Sequence, residues 1–146
     1  MQIKKAFYGI LDLFPSSVEV LLKILAGELG NDKLKWSRFH GLVEQWFLVR
    51  VVQENEIYVF SDGMHQLCVK DPESNHYLAF DEHSIFFIYS PTEKDVEVFR
   101  SSGFEPRCAE PIYSMPHFQS TPPDSEILEA QFVGVLKLEK ANSDIE

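Results

Sequence analysis

Asp81, Glu82 and His83 stand side by side in the stretch HYLAFDEHSIFFIYS, residues 76–90, between two aromatic runs. Two carboxyls and an imidazole are the groups that general acid–base catalysis and divalent-metal binding most often recruit. A second pairing lies close by, because His65 meets Asp81 across a sheet if residues 64–70 pair with 76–81. Cross-strand neighbours of that kind hydrogen-bond, and a His/Asp site is one way for the chain to be an enzyme or a small-molecule binder.

Neither group is accompanied by the rest of a catalytic or metal-binding pattern. The five histidines show no His-x-x-x-His, His-x-His or His-Glu-x-x-His spacing, so no metal pair sits on one helix face. His65-Gln-Leu, His76-Tyr-Leu, His83-Ser-Ile and His117-Phe-Gln lack the paired His-x-Thr/Ser doublets with which two-histidine phosphoesterases grip phosphate. There is no Gly-x-Ser-x-Gly elbow, and AGELGNDK has two glycines without the Gly-Lys-Ser/Thr ending of a phosphate loop. Cys68 and Cys108 are isolated, so they form neither a zinc knuckle nor a secreted disulfide framework. Adjacent acids in a turn seldom point into one pocket, and the trio at 81–83 reads as a hairpin connection between two strands. The sequence therefore assigns no catalytic residue, no metal and no cofactor.

The elements expected around these residues make a single domain, in keeping with 146 residues, 45% apolar and 25% charged. Residues 1–45 read as helical. FPSSVEVLLKILAGELGN offers Ser16 as N-cap, Glu19 at the capping-box position, Val18, Leu21, Leu22, Leu25 and Leu29 on one face, and Gly30 at the end. Residues 31–45 fit a second helix, with Leu34, Phe39, Leu42 and Val43 inward, while residues 2–13 fit a helix or an edge strand. From Trp46 the period changes to two. WFLVRVV and EIYVFS read as strands, Asp62-Gly63 as a tight hairpin turn, DPESN as another turn, and 46–90 as an antiparallel meander. After it comes a helix–strand–helix part over 91–140. Thr92 and Asp95 open the first helix and Gly103 stops it, a strand lies near Cys108–Tyr113, and Thr121-Pro122 opens the last helix. Residues 132–138 fit helix or strand, and 141–146 form a frayed polar tail. The fold class expected is α+β, an antiparallel sheet of about five to six strands packed against N-terminal, middle and C-terminal helices.

Charge points to function more directly than any motif. Residues 1–50 carry seven Lys/Arg against five Asp/Glu, whereas 51–146 carry six against eighteen, so the later part holds −12 of a chain whose total is −10. Such a field repels phosphates and anionic membranes and attracts a basic protein. Two helices followed by a hairpin would be the element order of a winged helix, with Lys33, Lys35 and Arg38 toward DNA. Glu54 and Glu56 at the hairpin tip oppose that use, and nucleic acid is not the expected partner. No window approaches the roughly 18 apolar residues of a membrane span, and the chain reads as a cytoplasmic protein of bacterial type.

The candidate binding residues are the acids Asp71, Glu73, Asp81, Glu82, Glu93 and Glu97, with Tyr113, His117 and Phe118 on a proline-held loop, IYSMPHFQSTPP. Aromatic centres with charged edges are the usual anatomy of an interface. The expectation is a non-enzymatic acidic protein that neutralises or regulates a basic partner, as immunity or antitoxin proteins do to nuclease toxins.

Overall fold

The computed structural model describes residues 2–26, 35–105 and 125–141. Five helices and six strands follow in the order α1 (Gln2–Leu11), β1 (Ser17–Ala26), β2 (Lys35–Glu44), α2 (Gln45–Glu54), α3 (Glu56–Ser61), β3 (His65–Lys70), β4 (Tyr77–Phe80), β5 (Phe86–Tyr89), α4 (Glu93–Ser101), α5 (Ser125–Leu136) and β6 (Glu139–Lys140). The strands form one antiparallel sheet in the order β5-β4-β3-β1-β2-β6. The fold is α+β, with helices at the start, middle and end of the chain.

The residues read as the first two helices are instead β1 and β2, a ladder of ten pairs from Ser17↔Glu44 to Ala26↔Lys35. Val18, Val20, Leu22 and Ile24 alternate into the core, while Leu21 and Leu25 occupy the other face. With both faces apolar, the run loses its period-two signature and matches a helical stripe equally well. The opposite error affects 46–61. Its β-branched residues form α2 and α3, because Leu48, Val51, Val52, Tyr58 and Val59 turn one side onto the sheet and are buried there. Packing overrides their intrinsic preference. The meander is thus β3, β4 and β5 alone, and Asp62-Gly63 joins a helix to a strand rather than two strands. The winged-helix order is absent, since its two helices are a hairpin.

The remaining expectations fare better. Residues 2–11 are helical, as are 132–136 at the end of α5. α4 starts in a capping box, with Thr92 Oγ1 accepting from the Asp95 N–H and the Asp95 side chain accepting from the Thr92 N–H. It ends at Gly103, φ 97°, where Phe104 N–H bonds Phe99 C=O, Gly103 N–H bonds Arg100 C=O, and the Phe99 and Phe104 rings touch. Those bonds and that contact make a Schellman stop, and its left-handed residue is why glycine is needed. The strand near Cys108–Tyr113 and the cap at Thr121 lie outside the described residues.

One face of the sheet carries the core. Phe7, Ile10 and Leu11 of α1, Leu48 and Val52 of α2 and Phe132 of α5 pack on Val20, Leu22, Leu67, Val69, Leu78 and Phe80. Much of the aromatic content fills this layer, where Phe7, Phe60, Phe80 and Phe86 meet with centroids 4.9–6.3 Å apart. Such clusters hold helices to a sheet by area and by edge-to-face contact. Among the described residues, no helix covers the other face.

Candidate functional site

The Asp81-Glu82-His83 trio is the β4–β5 turn. Asp81 Oδ1 accepts the N–H groups of His83 and Ile85, each at 2.9 Å, while Ser84 N–H bonds Asp81 C=O at 3.0 Å and Ser84 takes φ 62°. Two carboxylate oxygens and one imidazole nitrogen, one atom from each residue, lie within 4.8 Å of one another, near enough to share a cation. Asp81 is nevertheless engaged in shaping the turn, which is what a short acidic side chain does at such a position.

His65 does not meet Asp81. The β3–β4 register runs from Leu67↔Phe80 to Lys70↔Tyr77 and stops short of it. His65 is buried, stacked on Tyr58 with centroids 4.3 Å apart, and its Nδ1 lies 3.5 Å from Asp62 Oδ2. Burial, then the carboxylates of Glu129 and Asp62, push the Tyr58 phenol far above its usual range, so it stays protonated at neutral pH. The Tyr58 hydroxyl and His65 Nδ1 make no hydrogen bond. Hydroxyls meet carboxylates elsewhere, where Ser74 Oγ donates to Asp71 Oδ2 at 2.9 Å and the Tyr8 hydroxyl donates to Glu56 Oε2.

The acids divide between the two ends of β4. Asp81 and Glu82 follow the strand, whereas Asp71 and Glu73 precede it. His76, also before β4, donates from Nε2 to Asp95 Oδ2 at 2.8 Å, and this pair ties the 71–76 turn to the start of α4. Asp71, Glu73 and Glu93 therefore share one end of the molecule, with Glu97 one turn along α4. The Glu73 N–H, then Ser74 Oγ and the nearby His76 and Lys70, hold the Asp71 carboxyl below the ordinary carboxylate range. Glu73, Glu93 and Glu97 are exposed. On the outer side of α4 a shallow depression of about 480 Å³ is lined by Glu93, Lys94, Val96, Glu97 and Arg100, and Val96 is 49% exposed.

The His76–Asp95 joint is rigid. Asp95 is 1% exposed and accepts from Thr92 N–H at 2.7 Å and Thr92 Oγ1 at 3.0 Å besides its bond to His76, whose ring stacks on Phe14 at 4.4 Å. A turn tied down by such a joint loses little loop freedom when a partner docks. Tyr113, His117 and Phe118, the aromatic part of the expected surface, lie outside the described residues.

Sequence reasoning missed the uncovered sheet face. It carries Leu21, Leu42, Tyr77, Phe87 and Tyr89, and a groove of about 530 Å³ runs over Glu19, Leu21, His40, Leu42, Cys68 and Tyr77. Cys68 forms its floor, with burial pushing the thiol up and out of the reactive range. The signal was present as the apolar Leu21 and Leu25 alternating against Val20 and Leu22, but only the strand assignment makes it readable. No family model, curated protein or solved structure matches the chain.

Proposed function

We propose that the chain is a non-enzymatic binding protein whose acidic end engages a basic protein, in the manner of an immunity or antitoxin protein covering the cationic cleft of a nuclease toxin. The supporting observation is the group of exposed carboxylates Glu73, Glu93 and Glu97 about the His76–Asp95 joint, with Val96 exposed on α4 beside Glu93, Lys94 and the Glu97–Arg100 ion pair. An apolar contact edged by charge suits electrostatic steering followed by docking. A formal charge of −10 adds the long-range attraction for a cation and disfavours phosphate backbones. A bacterial cytoplasmic setting accompanies this reading. No helix among the described residues is long and apolar enough to cross a membrane.

The test is retention of cationic host proteins on the immobilised chain, eluted by salt and identified by mass, followed by association kinetics with each. The reading expects an association rate that falls steeply with ionic strength while dissociation changes little. Glu93→Lys with Glu97→Lys should slow association about tenfold or more. Retention of no basic protein, or rates indifferent to both salt and charge reversal, would refute it.

A further inference from the structure

We propose that the uncovered sheet face is the interface of a two-fold symmetric dimer of this chain. Its exposed side chains include Leu42 at 68%, Tyr89 at 58% and Phe87 at 43%, which together with Leu21, Trp36 and Tyr77 form an apolar field no described helix covers. β1 and β2, ten residues each, run ~33 Å at 3.3 Å per residue, and five strands at ~4.8 Å spacing extend ~20 Å across. Tapering toward β5 and roughened by side chains, such a face offers on the order of the ~800 Å² per partner that a stable protein interface uses.

Charge selects the second copy as occupant. The described residues of this face hold Lys23, Arg38 and Lys70 against Glu19, Glu44 and Glu139, in balance, on a chain whose formal charge is −10. Two copies of so acidic a chain bring least like charge together through this side. The charges are also ordered along the strands. Register places Lys23 opposite Arg38 toward one end of the hairpin, while Glu44 and Glu19, the latter paired with Lys70 at 3.9 Å, lie toward the other, which stays net negative. Between them runs the row Phe87, Ala79, Cys68, Leu21 and His40, one residue on each of β5, β4, β3, β1 and β2, ending at the exposed Glu139 on the β6 edge. A two-fold axis lying along that row, in the plane of contact, reverses strand direction without moving one strand onto another. It lays Lys23 and Arg38 of one copy over the Glu19 and Glu44 end of the other, twice, with Leu21 and Phe87 meeting their own equivalents at the axis. An isologous contact requires this self-complementarity, and sheets packed face to face with nearly aligned strands supply its geometry. In this dimer α4 and the 71–76 turn stay on the outer, helical side, so the assembly presents two acidic ends.

Sedimentation velocity of the full chain across about 1–200 µM reads the outcome, since a working dimer constant falls in or below that window. The wild type should shift reversibly from monomer to dimer. Leu42→Asp and Phe87→Asp, at exposed positions, should each weaken the dimer about tenfold or more, one buried charge per copy sufficing for that. Lys23→Glu alone and Glu19→Lys alone should each be monomeric, whereas an equimolar mixture of the two should form a heterodimer. Circular dichroism verifies that each variant is folded, and the charge pair carries the test if an apolar variant is not. A wild type that stays monomeric throughout, a dimer indifferent to Leu42→Asp and Phe87→Asp, or a mixture of charge variants that does not associate overturns the proposal.

Discussion

Replacing Asp95 by alanine should cost more than any other single change at the acidic end, and the size of the loss follows from what the carboxylate holds. It accepts the Thr92 N–H and Oγ1, closing the capping box of α4, and it binds His76 Nε2 while 99% shielded from solvent. Loss of a cap costs about 1 kcal/mol. Loss of a charge-assisted bond that leaves its partner half-enclosed costs about 1.5–3 kcal/mol more. The sum is about 3 kcal/mol, which for a domain of this size lowers Tm by roughly 10 °C. Asp95→Asn retains one acceptor oxygen for Thr92 and should lose about half as much. Urea unfolding at neutral pH measures both. A cycle with His76→Ala separates cap from joint, because the two residues should couple by at least about 1 kcal/mol. An Asp95→Ala loss under about 1 kcal/mol, or strictly additive single changes, would refute the view that this pair fixes α4 to the 71–76 turn.

Two further outcomes are expected. Burial first, then Asp62 and Glu126, raise the Glu129 carboxyl above its ordinary value. The folded chain then holds that proton more tightly than the unfolded one, so stability linked to Glu129 declines as pH rises from the unfolded value through the folded one. Glu129→Gln should be more stable than wild type in thermal melts at pH 7, and the gap should close below about pH 4, where Glu129 is protonated in both states. At Gly9 an added Cβ would lie 2.7 Å from Val98 Cγ1. Valine on a helix has one favoured rotamer and cannot step aside, so overpacking of about 1–3 kcal/mol outweighs the ~1 kcal/mol of helix propensity gained by Gly9→Ala. Adding Val98→Ala should recover part of that loss in urea unfolding.

Signals confined to a few neighbouring residues were legible in the sequence. Thr92, Asp95 and Gly103 bound α4 as read, and 81–83 turns as read, because caps and turns are decided by side chains two or three positions apart. The chain from 16 to 61 was not legible in the same way. Ser16, Glu19 and the helical spacing of Val18, Leu21, Leu22 and Leu25 imitate a capped helix, yet Val18 and Leu22 line one face and Leu21 and Leu25 the other of a strand whose ladder partners are fixed at a distance. The acidic site was half visible. Composition revealed the carboxylates, but only the His76–Asp95 bond groups Asp71 and Glu73 with Glu93 and leaves Asp81 and Glu82 at the far end of β4.

α2 has a consequence for how the molecule fails. Its segment Trp46–Val52 follows β2 with no intervening loop and is rich in residues that favour extended backbone, so its helix rests on the apolar contacts of Leu48, Val51 and Val52. Any excursion that lifts α2 off the sheet frees a heptad able to prolong β2 outward, beside an edge that β6 guards at only two residues. Misfolding and fibril growth should therefore begin there, and polar substitution of the exposed Trp46 is the change most apt to delay them without disturbing the native state.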